Sequence, residues 1–132
     1  MTSKVKYLDN LRTRCIHLKS NAEILTDAPT DNNGKGEAFS PTDTVATALA
    51  SCMLTVMGIK AKELNVSIKD SKAEVQKVMA SNPRRISKIM INIKMNESTN
   101  EKNKRILENV ANSCPVLHSL HPDIEKKINF QW

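Results

Sequence analysis

Apolar residues follow an alternating pattern over the first part of the chain. Alternation from residue 5 to residue 18 predicts one long strand or two short ones, and residues 22–26 predict another strand. Residues 27–36 contain Pro, Gly, Asn and Asp in close succession and predict a loop. The chain is therefore expected to begin with strands and a loop.

A helical pattern begins at Ser40 and Pro41. Serine is a favourable N-cap, and proline suits the first helical position because it has no N–H to leave unpaired. Asp43 completes a variant of the capping box, and the helix is predicted to run to about Leu64. Residues 44–59 are apolar or small on every face of this helix. Because such a helix must be covered all round, we expect a homodimer that encloses it.

The C-terminal half combines strands with one amphipathic helix. Ser98 and Glu101 form a capping box that predicts the start of the helix, and Pro115 interrupts the helical pattern after Cys114. The predicted elements are strands at 66–79, 85–95 and 128–132 and a helix from about 98 to 113. The order of the elements predicts an α+β fold.

Length and charge limit the class of protein. With 132 residues, the chain is long enough for a single domain with a modest core, and we expect one domain over residues 1–132. We find no signal-peptide pattern and no uncharged apolar stretch of 18 residues, and so expect a soluble cytoplasmic protein with no membrane partner. The net charge is +6, but the lysines are scattered and stacking aromatics are scarce, which does not favour nucleic-acid binding.

Cysteines are the candidate reactive groups. Cys15, Cys52 and Cys114 show no C-x-x-C motif and no metal-ligand spacing with histidine, so we expect neither a zinc site nor another cofactor. Cys52 has apolar neighbours one helical turn away and needs a cation from elsewhere in the fold to become reactive. By local sequence alone Cys114 is better placed, because Pro115 puts it near the N-cap of a following helix, where the helix dipole favours a thiolate.

Charged residues near the cysteines in sequence are few. Arg12 and Arg14 on the predicted N-terminal strand are the candidates for the missing cation. Asp43 at the helix start and Glu37 in the preceding loop are the candidate carboxylates. Helix capping alone is enough to explain why an aspartate stands at position 43.

Three segments together resemble the OsmC/Ohr superfamily, named for osmotically induced protein C and organic hydroperoxide resistance protein. They are Phe39-Ser-Pro-Thr-Asp-Thr-Val-Ala-Thr-Ala-Leu-Ala-Ser-Cys-Met53, Pro83-Arg-Arg-Ile86 and Ser113-Cys-Pro-Val116. The resemblance extends from about Leu11 to Trp132. It implies an intertwined α+β homodimer in which two central cysteine-bearing helices are wrapped by antiparallel β-sheets.

The resemblance also implies a thiol-dependent peroxidase. Cys52 would attack an organic hydroperoxide or hydrogen peroxide, and Cys114 would resolve the resulting sulfenic acid as a disulfide. Arg14, or Arg12, would activate Cys52, and Asp43 would be the nearest carboxylate, although Thr42 stands where the hydroperoxide branch has glutamate. An external dithiol would return the electrons, without a metal or haem.

Two other functions remain open at the level of sequence. The apolar dimer cleft would suit a non-catalytic protein that binds a small apolar ligand, with the cysteines as core residues. The net charge of +6 leaves nucleic-acid binding as a third, less favoured hypothesis.

Overall fold

The computed structural model describes all residues from 1 to 132. The chain divides into two compact units, residues 1–45 and residues 46–132. Each unit has its own three-stranded sheet. The mixture of sheets and helices confirms the predicted α+β class.

The first unit is an antiparallel sheet in the order β1-β2-β3. The alternation over residues 5–18 corresponds to two short strands, because Asp9, Asn10 and Leu11 all have positive φ and turn the chain back on itself. The elements are β1 (Ser3–Asp9), β2 (Arg12–His17), β3 (Glu23–Asp27) and a 3-10 turn (Thr30–Asn32).

Large apolar side chains of the first unit are exposed in the single chain. The three buried residues of this unit, Thr26, Asp27 and Ser40, are all polar. Such a unit lacks an apolar core of its own and leaves a broad apolar surface without cover. The exposed side chains are Met1, Val5, Tyr7, Leu8, Leu11, Ile24, Leu25, Phe39 and Val45.

Helix α1 (Pro41–Glu63) begins at the predicted capping box. The Asp43 N–H donates to Ser40 Oγ at 3.0 Å, and the Ser40 N–H donates to Asp43 Oδ2 at 2.8 Å. By length and composition the helix could cross a membrane, with a mean hydropathy of 1.5, and 33% of its most apolar window is buried. The core helix of a soluble protein meets the same criteria.

The second unit packs helices on one face of a mixed sheet in the order β4-β5-β6. Strands β4 and β5 are antiparallel, whereas β5 and β6 are parallel. The elements after α1 are β4 (Lys72–Ala80), β5 (Arg85–Lys94), α2 (Glu101–Ala111), α3 (Pro115–Ser119) and β6 (Glu125–Gln131).

One face of α1 and alternate residues of β5 build the core of the second unit. The buried side chains of α1 recur at helical spacing, and those of β5 recur at every second residue, as the two periodicities require. Leu107 and Ala111 of α2 complete this core. The α1 and β5 contributions are Ala46, Leu49, Ala50, Met53, Met57, Ala61, Ile89, Ile91 and Ile93.

Three sequence expectations differ from the structure. The strand expected from residue 66 begins only at Lys72, because Asn65 and Asp70 have positive φ and interrupt extended backbone. The cap of α2 is Asn100, whose side chain accepts from the Asn103 N–H, rather than Ser98. The wrapping sheets were expected to be antiparallel throughout, but β5 and β6 run parallel because α2 and α3 form the crossover between them.

Candidate functional site

Cys52 lies in the middle of α1 and is partly buried against the core of the second unit. It is one helical turn from Val56 and next to Met53, which is fully buried. The helix therefore holds the Cys52 thiol at the edge of the core rather than inside it.

Cys114 is the N-cap of α3 and has only 1% of its surface exposed. The chain leaves α2 through a tight turn in which the Cys114 N–H donates to the Ala111 carbonyl at 3.2 Å. Pro115 then begins α3, as its fixed φ and missing N–H favour. These features fix the thiol at the junction of two helices.

Burial raises the pKa of the Cys114 thiol, and the neighbouring Cys52 raises it further. The backbone N–H groups of Leu117 and Val116 act in the opposite direction. Burial therefore acts against the thiolate that the start of α3 was expected to favour at Cys114, and that helix is only five residues long.

The two thiols are neighbours. Cys52 is close enough to raise the pKa of the Cys114 thiol, although 62 positions separate the two residues in the sequence. Both thiols are free. Adjacent free thiols, one partly accessible and one buried, are arranged so that oxidation of the first would expose it to attack by the second.

An open, mostly apolar cavity of about 290 Å³ is lined by residues of α1 and by residues in and just after the last turn of α2. Val56 follows Cys52 by one turn, and Ser113 immediately precedes Cys114. Lys60, which is paired with Glu63, is the one charged residue of the lining. The lining residues are Val56, Ile59, Lys60, Val110 and Ser113.

A charged cluster is centred on Arg12 in the first unit. Arg12 Nε donates to Asp27 Oδ1 at 2.7 Å, and Arg12 Nη2 donates to Asp27 Oδ2 at 2.8 Å. Arg12 Nη2 also donates to Glu37 Oε2 at 3.2 Å. The Glu37 N–H donates to Asp27 Oδ2 at 3.1 Å, so Asp27 fixes both the arginine and the loop.

The other predicted charged residues have different surroundings. Arg14 forms a long ion pair with Glu23, 4.0 Å from Nε to Oε2, and its buried Nε has no hydrogen-bond partner. One carboxylate oxygen of Asp43 accepts the Ser40 N–H in the capping box. Asp27 is not among the carboxylates that the sequence indicates, because it opens a turn-rich segment far from the helix start. Its position at the end of a strand, in register with Arg12, was the available signal.

The structure gathers no group of three or more His, Cys, Asp and Glu side chains that could hold a metal ion. Cys15 lies on β2, 3.9 Å from Thr13 Oγ1.

Residues 34–129 match the family model described as OsmC-like protein. The chain belongs to the OsmC-like family. It thus falls in the OsmC/Ohr superfamily, as its sequence motifs indicated. No curated protein matches it.

Solved structures share the OsmC-like fold. A protein from Psychrobacter arcticus, proposed to be an osmotic stress induced and detoxification response protein, is 55% identical, with a TM-score of 0.96 and coverage of 99% of this chain and 96% of that chain. The organic hydroperoxide resistance protein OsmC from Legionella pneumophila is 15% identical, with a TM-score of 0.77 and coverage of 98% and 95%. The organic hydroperoxide resistance protein OhrB of Bacillus subtilis is 17% identical, with a TM-score of 0.70 and coverage of 99% and 98%.

Proposed function

We propose that this OsmC-like protein is a thiol-dependent peroxidase with a role in peroxide resistance. The observation that carries the proposal is the adjacency of the free thiols of Cys52 and Cys114. Structural relatives named for organic hydroperoxide resistance support the same class of chemistry.

The reaction has three balanced steps. The Cys52 thiolate attacks one oxygen of a hydroperoxide ROOH, which breaks the O–O bond, gives a Cys52 sulfenic acid and releases RO⁻, protonated to ROH. The Cys114 sulfur then attacks the Cys52 sulfur, which forms the disulfide and releases water. An external dithiol reduces the disulfide by thiol–disulfide exchange and is itself oxidised to a disulfide.

The apolar cavity lined by α1 and the end of α2 favours organic hydroperoxides over hydrogen peroxide. Val56 and Val110 offer apolar surface to the R group, and each lies four residues from a cysteine along the chain. Hydrogen peroxide has no apolar part to bind there. We therefore expect cumene hydroperoxide to react faster than hydrogen peroxide, by a factor of about ten for each 1.4 kcal/mol of added transition-state binding.

An arginine of β2 supplies the positive charge that stabilises the Cys52 thiolate. Arg14 and Arg12 are both candidates, and they differ in how firmly the surrounding residues hold them. Asp43 is the candidate carboxylate at the start of α1. Its capping bond to Ser40 is a separate role, and mutation can tell the two roles apart.

The working form is a homodimer in the cytoplasm. OsmC-like proteins are generally dimers. One face of α1 remains exposed in the single chain and is lined by Ala48, Ser51, Thr55 and Ile59, whose mostly small side chains would allow close approach of a second helix. An Ala48→Arg variant should run as a monomer in light scattering, whereas a control at exposed Lys102 (Lys102→Ala) should remain dimeric. A dimeric Ala48→Arg protein would place the interface elsewhere.

A rapid-quench assay with cumene hydroperoxide tests the peroxidase. We expect loss of the Cys52 thiol and a Cys52–Cys114 disulfide by mass spectrometry, with sulfenic acid accumulating in Cys114→Ser. Cys15→Ser is the matched control and should react like the unmodified protein. Full peroxide turnover by Cys52→Ser would refute the proposal.

A further inference from the structure

The carboxylate of Asp27 is buried, with 2% of the residue exposed. It ends β3 directly across from Arg12 in the strand register, so backbone pairing already brings the two side chains together. Both carboxylate oxygens bind the guanidinium, in the two-pronged geometry that fixes the plane of an arginine. Burying a carboxylate is costly unless it is paired and hydrogen-bonded, as this one is.

The Asp27 contact leaves one side of the guanidinium available. Arginine has five N–H donors, and here Nε and Nη2 use three of them on Asp27 and Glu37. None of these bonds uses Nη1. Asp27 therefore holds Arg12 by one edge and fixes the direction of the two Nη1 N–H groups.

Arg14 lacks such support. Its one recorded ion pair, to Glu23, is 4.0 Å long, and 41% of its side chain is exposed, against 31% for Arg12. An arginine with a fixed plane stabilises developing charge better than a mobile one, because no reorganisation is needed during the reaction.

We propose that Asp27 is the positioning residue of the activating arginine, and that this arginine is Arg12. The inference rests on the proposed peroxidase function. Asp27 acts through Arg12 and does not touch the peroxide. Glu37 has the lesser part, since it contributes one longer bond and is 63% exposed in its side chain.

The charged residues around Arg12 are mostly carboxylates, so Arg12 would act through its own N–H groups rather than as part of a cluster of positive charges. Asp27 faces it from β3, Glu37 from the loop and Asp9 from the paired position of β1, while Arg14 follows on its own strand. The hydrogen bond between Arg12 and Asp27 raises the pKa of Arg12 and lowers the pKa of Asp27, so both residues stay charged at neutral pH.

The test uses Asp27→Asn, which keeps the shape of the side chain but removes its charge and one acceptor. Misplacement of a group by about 1 Å can cost about a hundredfold in rate, and we expect the Cys52 oxidation rate to fall by about 10- to 100-fold. In a background where Cys15 and Cys114 are serine, the pH midpoint for alkylation of Cys52 by iodoacetamide should also rise.

Variants of the residues that contact Asp27 test whether it acts through Arg12. Arg12→Lys should be as slow as Asp27→Asn, and the double variant no slower than either, because both changes remove one interaction. Asp27→Glu, which restores a carboxylate, should recover part of the rate, and Glu37→Gln should have a smaller effect. Arg14→Lys tests the rival arginine and should slow the reaction less than Arg12→Lys does. Lys102→Ala, at an exposed position of α2, is the matched control and should keep the unmodified alkylation midpoint.

Each outcome separates the inference from the peroxidase proposal. If the unmodified protein fails to oxidise at Cys52, the proposed function itself is wrong. If it oxidises normally and folded Asp27→Asn keeps both the rate and the alkylation midpoint, Asp27 does not position the arginine. An effect of Arg14→Lys in place of Arg12→Lys would also overturn the inference. Should Asp27→Asn not fold, Asp27→Glu and Arg12→Lys decide by the same readouts.

Discussion

The capping box of α1 allows the two possible roles of Asp43 to be separated. Ser40 and Asp43 exchange hydrogen bonds of 2.8 and 3.0 Å at the first turn. Ser40 is 1% exposed, so water cannot readily replace the lost partner. Removal of either capping side chain, as Ser40→Ala or Asp43→Ala, should destabilise the protein by about 1 kcal/mol.

The two substitutions should not add. Each one breaks part of the same reciprocal pair, so Ser40→Ala combined with Asp43→Ala should cost less than the sum of the single changes. Asp43→Asn keeps an oxygen acceptor and loses mainly the interaction of the charge with the helix dipole, about 0.3–1 kcal/mol. For a chain of this length, 1 kcal/mol corresponds to a shift of about 3–5 °C in Tm, measured at one fixed protein concentration.

Activity supplies the decisive comparison. If Asp43 only caps α1, the Asp43→Ala variant should unfold at a lower temperature. It should still oxidise Cys52 at the unmodified rate when it is assayed well below its Tm. Loss of a carboxylate that helps to position the reacting groups would instead slow the reaction by about a hundredfold. A large loss of rate in Asp43→Asn without a change in Tm would refute the capping interpretation and make Asp43 part of the reaction.

Three further predictions concern stability. Gly34→Ala should destabilise the protein strongly, because the new Cβ would lie 1.6 Å from the Ala28 carbonyl oxygen. Gly58→Ala meets only ordinary contacts and should stabilise α1 by about 0.5–1 kcal/mol. Equal shifts of Tm in the two variants would contradict this prediction. Leu107→Ala removes a fully buried side chain and should cost about 2–5 kcal/mol in urea denaturation, so a near-neutral result would mean that the site collapses. Because burial raises the pKa of Cys114 above its ordinary 9.0, the unfolded thiol loses its proton first as the pH rises. Stability should therefore fall above about pH 9, by up to about 1.4 kcal/mol per pH unit, and Cys114→Ala should lack this part of the slope.

Elements with a strong local signal could be predicted from the sequence. The apolar alternation of β5 and the Ser40-Pro41 start of α1 depend on neighbouring residues alone, and both elements lie where expected. The start of β4 could not be predicted, because apolar alternation from Val66 does not reveal that Asp70 has positive φ. The direction of β6 is also invisible to periodicity, since parallel and antiparallel strands share the same two-residue repeat.

The candidate site shows a similar division. Both thiols could be selected from their local sequence, but their adjacency depends on the packing of α1 against the end of α2, which no local pattern encodes. The bond between Arg12 and Asp27 likewise spans 15 positions and follows from strand register. A turn-rich sequence after Thr26 made Asp27 look like the first residue of a loop.

The environments of the two cysteines bear directly on their order of reaction. Thiolates, not thiols, attack peroxides, so burial that raises the pKa of Cys114 disfavours it as the first nucleophile. The same burial limits its contact with bulk peroxide but leaves it beside Cys52, where a sulfenic acid would form. A protected thiol reserved for one neighbour suits the resolving role, whereas Cys52, at the edge of the core, is open to a substrate. This asymmetry arises from packing, and it reverses the ranking that helix position alone gives the two residues.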